Sequence, residues 1–160
     1  MVLHNIDPVY DENSRMLILG SFPSVKSRET GFFYGHPQNR FWKVLAAVFG
    51  ERTPATVSEK KAMLLRNNVA VWDVIKSCEI TGSSDISVKN AVPNDVAAII
   101  KNTKITRVFT NGALASRLYE KTLEKRVGIK ATPLPSTSPA NAAWSLPRLT
   151  AFWSAALRGK

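Results

Sequence analysis

Apolar positions along the chain fall into two alternating kinds of run. Met16-Leu17-Ile18-Leu19 and Val69-Ala70-Val71-Trp72 are short and continuous, and Arg107-Val108-Phe109-Thr110 and Ile129 to Leu134 are short segments of the same kind with polar residues among them. Runs of that length predict strands covered on both faces. Between them the spacing changes to that of a helix. Phe41, Trp42, Leu45, Val48 and Phe49 share one face of a predicted helix from about Asn39 to Phe49, which Gly50 ends. Ser58 is placed to cap a second helix running to about Arg66. Asn94 and Asp95 open a third, with Val96, Ile99 and Ile100 inward. Leu114, Leu118 and Tyr119 mark a helix over 112–125, and Leu149, Phe152, Trp153, Ala156 and Leu157 mark the last, over 145–157. Pro147 is tolerated there because it falls in the first turn.

Strands alternating with amphipathic helices predict an α/β fold, a mainly parallel four-stranded sheet between helical layers. No repeat, linker or low-complexity segment interrupts the pattern, so residues 1–160 read as a single domain. Two segments resist the periodicity. Asp73 to Pro93, with Thr81-Gly82-Ser83-Ser84-Asp85 inside it, reads as irregular. Gly20 to Arg40 reads as a loop holding aromatics, His36 and several hydroxyls and amides. A compact domain seldom keeps ~20 residues without regular structure unless they bind something.

Ligands of open parallel sheets bind beyond the carboxyl ends of the strands. The residues just past the four predicted strands are Gly20-Ser21-Phe22-Pro23-Ser24, Asp73, Asn111-Gly112 and the run from Pro135 to Asn141. All four therefore supply glycine, proline, hydroxyls, amides or a carboxylate to one edge. There is no phosphate-binding Gly-Lys-Ser/Thr loop, no Gly-x-Ser-x-Gly elbow and no pair of histidines at metal-ligand spacing. Neutral amides and hydroxyls, with His36 and Asp73 as possible acid or base, suit a reaction whose leaving group departs largely unaided. Cleavage through an oxocarbenium-like sugar is such a reaction, because positioning water and steadying charge do most of the work.

Charge adds a partner. Twenty-two Lys and Arg oppose twelve Asp and Glu, a net +10, which suits a polyanion such as nucleic acid. The single Cys78 excludes an intramolecular disulfide and reads as a small buried thiol. With no apolar run of membrane-spanning length and no signal-peptide pattern, the expectation is a cytoplasmic protein with no membrane partner.

Gly20-Ser21-Phe22-Pro23-Ser24, Gly35-His36-Pro37-Gln38-Asn39-Arg40-Phe41-Trp42, Phe109-Thr110-Asn111-Gly112 and the stretch from Leu134 to Ala142 resemble the uracil-DNA glycosylase superfamily. The match is nearest to its hypoxanthine-DNA glycosylase branch, family six, and Trp72 to Cys78 with Gly82 to Asp85 also looks like that branch. The resemblance implies a three-layer α/β/α sandwich. It implies a monofunctional hydrolase that flips a deaminated base from DNA and cuts its N-glycosidic bond. The sequence itself shows no sign of a metal site, a cofactor or an obligate oligomer, so a monomer without either is expected. Hypoxanthine is the implied base; uracil or xanthine is the alternative within the class.

Site roles follow from the same resemblance. Asn39 matches the catalytic amide, which would orient water or steady the sugar cation. Asn111 matches the reader of the base edge, while Tyr34, with Phe22 second, matches the aromatic that stacks on the flipped base. Ser136, Ser138 and Asn141 fall in the loop that grips the DNA backbone, with Ser21 and Ser24 as further phosphate contacts. His36 and Asp73 remain candidates for acid or base. Two departures shift the weight toward Asn39: Phe22 stands where uracil enzymes carry Asp or Asn, and Leu134 stands at the usual His of the second motif. A non-catalytic sensor of damaged DNA remains the reading from another class, and a small-nucleoside hydrolase a third, disfavoured by the +10 charge.

Overall fold

Leu17, Ile18 and Leu19 are all fully buried, which explains why their stretch of sequence is apolar without alternation: both faces of the strand are covered. The computed structural model describes residues 1–159. Its strands are β1 (Val2–Leu3), β2 (Met16–Gly20), β3 (Val69–Asp73), β4 (Ile75–Glu79), β5 (Lys89–Pro93), β6 (Arg107–Asn111) and β7 (Ala131–Leu134). Its helices are α1 (Val25–Thr30), α2 (Phe41–Phe49), α3 (Val57–Arg66), α4 (Val96–Lys101), α5 (Ala113–Thr122), α6 (Glu124–Val127) and α7 (Leu146–Arg158).

The main sheet is parallel in the order β3-β2-β6-β7. Ile18, Val69, Val71 and Phe109 face one way, into a core completed by α2, α3 and α7 through residues such as Leu45, Leu64 and Trp153. Leu17, Leu19, Ala70 and Val108 face the other way, onto Val96 and Ile99 of α4, Tyr119 of α5 and Leu123. These two cores make the three-layer α/β/α sandwich that the sequence pattern predicts. Register then decides function. Gly20 pairs with Asp73, and Asn111 with Leu134, so the ends of β2, β3, β6 and β7 form one edge.

Several expectations need correcting. The stretch from Asp73 to Pro93 is a hairpin, not irregular chain: β4 pairs antiparallel with β5 and, on its other side, with β1. Its alternation was obscured because β4 shifts register between Ile75 and Ser77 and between Ser77 and Glu79, and the neighbours Ser77 and Cys78 are both buried. The irregular part is its tip, where Asp85–Ser87 forms a single tight turn. The loop after β2 contains α1, which Ser24 caps by accepting the Ser27 N–H at 3.1 Å. Thr56, not Ser58, caps α3 and forms a reciprocal capping box with Glu59. The helix over 112–125 is two helices, separated at Leu123, and β7 begins at Ala131.

Asn94 ties the hairpin to the sheet. It is buried, and its Nδ2 donates to the carbonyls of Asp73 at 2.9 Å and Ile75 at 3.1 Å. Replacing Asn94 by Ala leaves two buried carbonyls without a donor, and is expected to cost about 1–3 kcal/mol in urea unfolding.

Candidate active site

The carboxyl edge of the main sheet opens into a cavity of about 560 Å³, within the roughly 300–1,000 Å³ range of small-ligand sites. Gly20 makes room for it. A Cβ there would lie 2.4 Å from Asp73 Oδ1 and 2.8 Å from the Tyr34 hydroxyl. Of the residues singled out from sequence, Ser21, Phe22, Ser24, Tyr34, His36, Asn39, Asp73, Asn111, Ser136 and Ser138 all line this cavity; Asn141 does not.

At its centre two asparagines are joined by one threonine. Asn111 Nδ2 donates to Thr137 Oγ1 at 3.0 Å, and Thr137 Oγ1 donates to Asn39 Oδ1 at 2.9 Å. Asn111 Oδ1 accepts the Thr137 N–H at 3.1 Å, and Asn39 Oδ1 also accepts the Phe41 N–H at 2.9 Å. Thr137 is fully buried. The arrangement settles the orientation of both amides, because a backbone N–H demands an oxygen opposite it. Asn39 therefore helps cap α2 with its oxygen and keeps Nδ2, a pure donor, for the cavity. Asn111 spends one contact from each amide atom on Thr137, retaining a second N–H and a second lone pair.

Arg40 holds the loop after β7 from behind. Its backbone N–H reaches the Thr137 carbonyl at 3.1 Å. Its guanidinium donates to the carbonyls of Thr137, Ser138, Asn141 and Trp144. Within the loop, Ser136 Oγ accepts the Ser138 N–H, Ser138 Oγ accepts the Ala140 N–H, and Asn141 Nδ2 donates to the Ser136 carbonyl. Asn141 thus braces the loop from outside the cavity.

Tyr34 carries the local strain. Its φ is 51°, a left-handed conformation that costs a side-chain-bearing residue roughly 1–2 kcal/mol. One ring face lies on Phe41, with centroids 3.9 Å apart and planes 15° from parallel. The hydroxyl is buried without a hydrogen-bond partner. Burial, and then the Asp73 carboxylate, push it well above the usual phenol range, with the Asn111 amide opposing. Phe22 stands edge-on to the His4 ring, and the Arg28 guanidinium lies over it, 5.5 Å from the centroid. His36 is exposed, its Nδ1 accepting the Gln38 N–H at 3.1 Å.

Asp73 is buried, and its Oδ2 lies 2.8 Å from His4 Nε2, with both side chains only 4% exposed. His4 Nδ1 accepts the Ile6 N–H at 3.3 Å, so Nε2 is the nitrogen that donates to the carboxylate. Three residues of this constellation escaped the reading from sequence: Thr137, Arg40 and His4. The first two sat inside motifs already quoted, between Ser136 and Ser138 and directly after Asn39. His4 had no signal, lying 69 residues before its partner. Among the described residues no group of three or more His, Cys, Asp or Glu side chains could hold a metal ion, and no helix is long and apolar enough to cross a membrane.

A parallel α/β sandwich with an amide-lined cavity at its carboxyl edge, on a chain of net charge +10, suits an enzyme that acts on a nucleic acid. The model of the Uracil DNA glycosylase superfamily matches residues 8–157, and the chain belongs to that superfamily. A hypoxanthine DNA glycosylase of Methanosarcina acetivorans is 34% identical over 160 residues, 99% of each chain. One from Methanosarcina barkeri is 34% identical over 137 residues, 84% of this chain and 85% of the relative. The solution NMR structure of a candidate uracil DNA glycosylase from Methanosarcina acetivorans superposes with a TM-score of 0.84 at 32% identity, covering 99% of this chain and 98% of that one.

The close packing at Gly20 can be tested directly. Gly20→Ala is expected to displace Tyr34 or Asp73 and to lower unfolding stability by about 1–3 kcal/mol, read by urea denaturation.

Proposed function

We propose that this protein is a monofunctional DNA glycosylase that removes hypoxanthine, the deamination product of adenine, and leaves an abasic site. The observation that carries the reading is the Asn39–Thr137–Asn111 chain at the cavity, in a protein matched along almost its full length by a hypoxanthine DNA glycosylase. In this reading residues 1–160 act as one monomeric glycosylase domain in the cytoplasm. The damaged nucleotide turns out of the helix and its base enters the cavity.

As the bond from C1′ to N9 breaks, its electron pair moves onto the purine and the sugar becomes cationic. Asn39 Nδ2 donates to the departing base, since its oxygen is already engaged by Thr137 and Phe41. Asn111 reads the base edge with its remaining donor and acceptor, while Tyr34 and Phe22 border the ring. Asp73, oriented by His4, takes the proton from the water that attacks C1′. Ser21, Ser24, Ser136 and Ser138 meet the flanking phosphates, with Asn141 supporting them. His36, exposed at the rim, is placed for backbone contact more than for acid catalysis. No lysine lines the cavity among the described residues, so no Schiff base forms and strand cleavage needs added alkali.

A cleavage assay on duplexes carrying one hypoxanthine, one uracil or no lesion, followed by alkali, tests the reading. Breakage at hypoxanthine alone is expected. Breakage only at uracil would transfer the assignment to the alternative base, and salt-sensitive binding without breakage would make the protein a damage sensor.

The polarity of Asn39 gives a sharper test. Asn39→Ala and Asn39→Asp are both expected to slow base release by about 100-fold or more, because each removes the donor. Robust activity in Asn39→Asp would mean that the residue works as an acceptor toward water. Thr137→Val is expected to cost up to about 100-fold through misplacement of the amide, with Thr137→Ser close to the parent. DNA affinity of all four variants is expected to stay high at low salt and to fall roughly tenfold or more between 50 and 200 mM, measured by fluorescence anisotropy.

A further inference from the structure

Ile86 is 97% exposed, more than any other large hydrophobic residue among those described, and it also lines the cavity. A side chain with both properties stands at the mouth. It rides on the tight turn Asp85–Ser87 at the tip of the β4–β5 hairpin. That tip is firmly built. Ser87 Oγ accepts the Thr81 N–H at 2.9 Å and donates to the Ser84 carbonyl at 2.7 Å. Ser83 Oγ accepts the Val25 N–H at 2.9 Å, and Arg28 donates to the Gly82 carbonyl at 3.1 Å, so the tip is pinned to α1. A loop held by polar contacts on every side thus presents one branched apolar group to solvent, where it gains nothing from packing.

The other loop at the mouth offers no equivalent. Its exposed residues there are Pro139 and Ala140, and neither has the reach of an isoleucine. A flipped base leaves a gap in the stack, and apolar side chains such as Ile or Leu fill such gaps because base faces shield them from water. We propose that Ile86 is the side chain that enters the duplex where the base has left, holding the nucleotide in the cavity. This inference rests on the glycosylase reading above. It differs from it in assigning a contact to the β4–β5 hairpin, away from the motifs that carry the chemistry.

The test compares hypoxanthine in a duplex with the same lesion in a single strand, in single-turnover reactions. Ile86→Ala is expected to slow release from the duplex by about tenfold or more and to leave the single-strand rate unchanged, because only the duplex has a stack to open. Ile86→Leu is expected to keep the duplex rate. Equal duplex rates for Ile86→Ala and the parent, or the same loss on both substrates, would overturn the proposal. A second reading does not need turnover: 2-aminopurine beside the lesion should brighten when the parent binds and should stay dim with Ile86→Ala. If the parent releases no base from either substrate, the glycosylase reading fails. The fluorescence still decides the wedge: brightening that survives Ile86→Ala overturns it.

Discussion

The Arg40 guanidinium is the contact on which the site depends. Loop carbonyls from Thr137, Ser138, Asn141 and Trp144 converge on it, and without a cation they would repel one another across a half-buried space. Arginine suits the task because its planar fork serves several acceptors at once, whereas a lysine would hold them as a single mobile charge. With the loop fixed, Thr137 can bridge Asn39 and Asn111. The two amides come from different parts of the fold, one from the start of α2 and the other from the end of β6. The Thr137 hydroxyl links them, with the Thr137 and Phe41 N–H groups fixing the amide oxygens.

The cavity handles charge economically. Its central groups are neutral amides that need no proton exchange, and its buried carboxylate, Asp73, is matched by the histidine N–H behind it. A departing purine anion and a sugar cation are both transient, so fixed dipoles serve them better than permanent charges that would need solvation. Strain is concentrated in the same place. Tyr34 adopts a left-handed backbone and leaves a buried hydroxyl unpaired, two costs that nearby packing on Phe41 and Gly20 must offset.

Much of this was legible from sequence. The main-sheet strands declared themselves because covering on both faces removes polar residues from a strand. Ser21, Asp73, Asn111 and Ser136 could be placed at one edge because they follow those strands, whereas Tyr34 and Asn39, between α1 and α2, stood out only by resemblance. The β4–β5 hairpin was not legible, since strands with bulges in their register lack the unbroken apolar run. The α1 helix hid because its residues, Val25 to Thr30, are mostly polar and its stability comes from the Ser24 cap. The roles of Thr137 and His4 were out of reach for a different reason. A threonine in a Pro/Ser-rich turn and a histidine near the amino end acquire meaning only from partners 98 and 69 residues away.

Those separations bear on how the protein is made. Arg40 and Asn39 are synthesised about a hundred residues ahead of the loop that satisfies them, and β7, an edge strand of the main sheet, is added late. While the ribosome is still working, the emerging chain has its basic charge and its first motif but no assembled pocket. Translation that halts before Thr137 therefore yields a fragment without the amide geometry. The bridged pair of amides assembles only after the loop from Pro135 to Asn141 has been made.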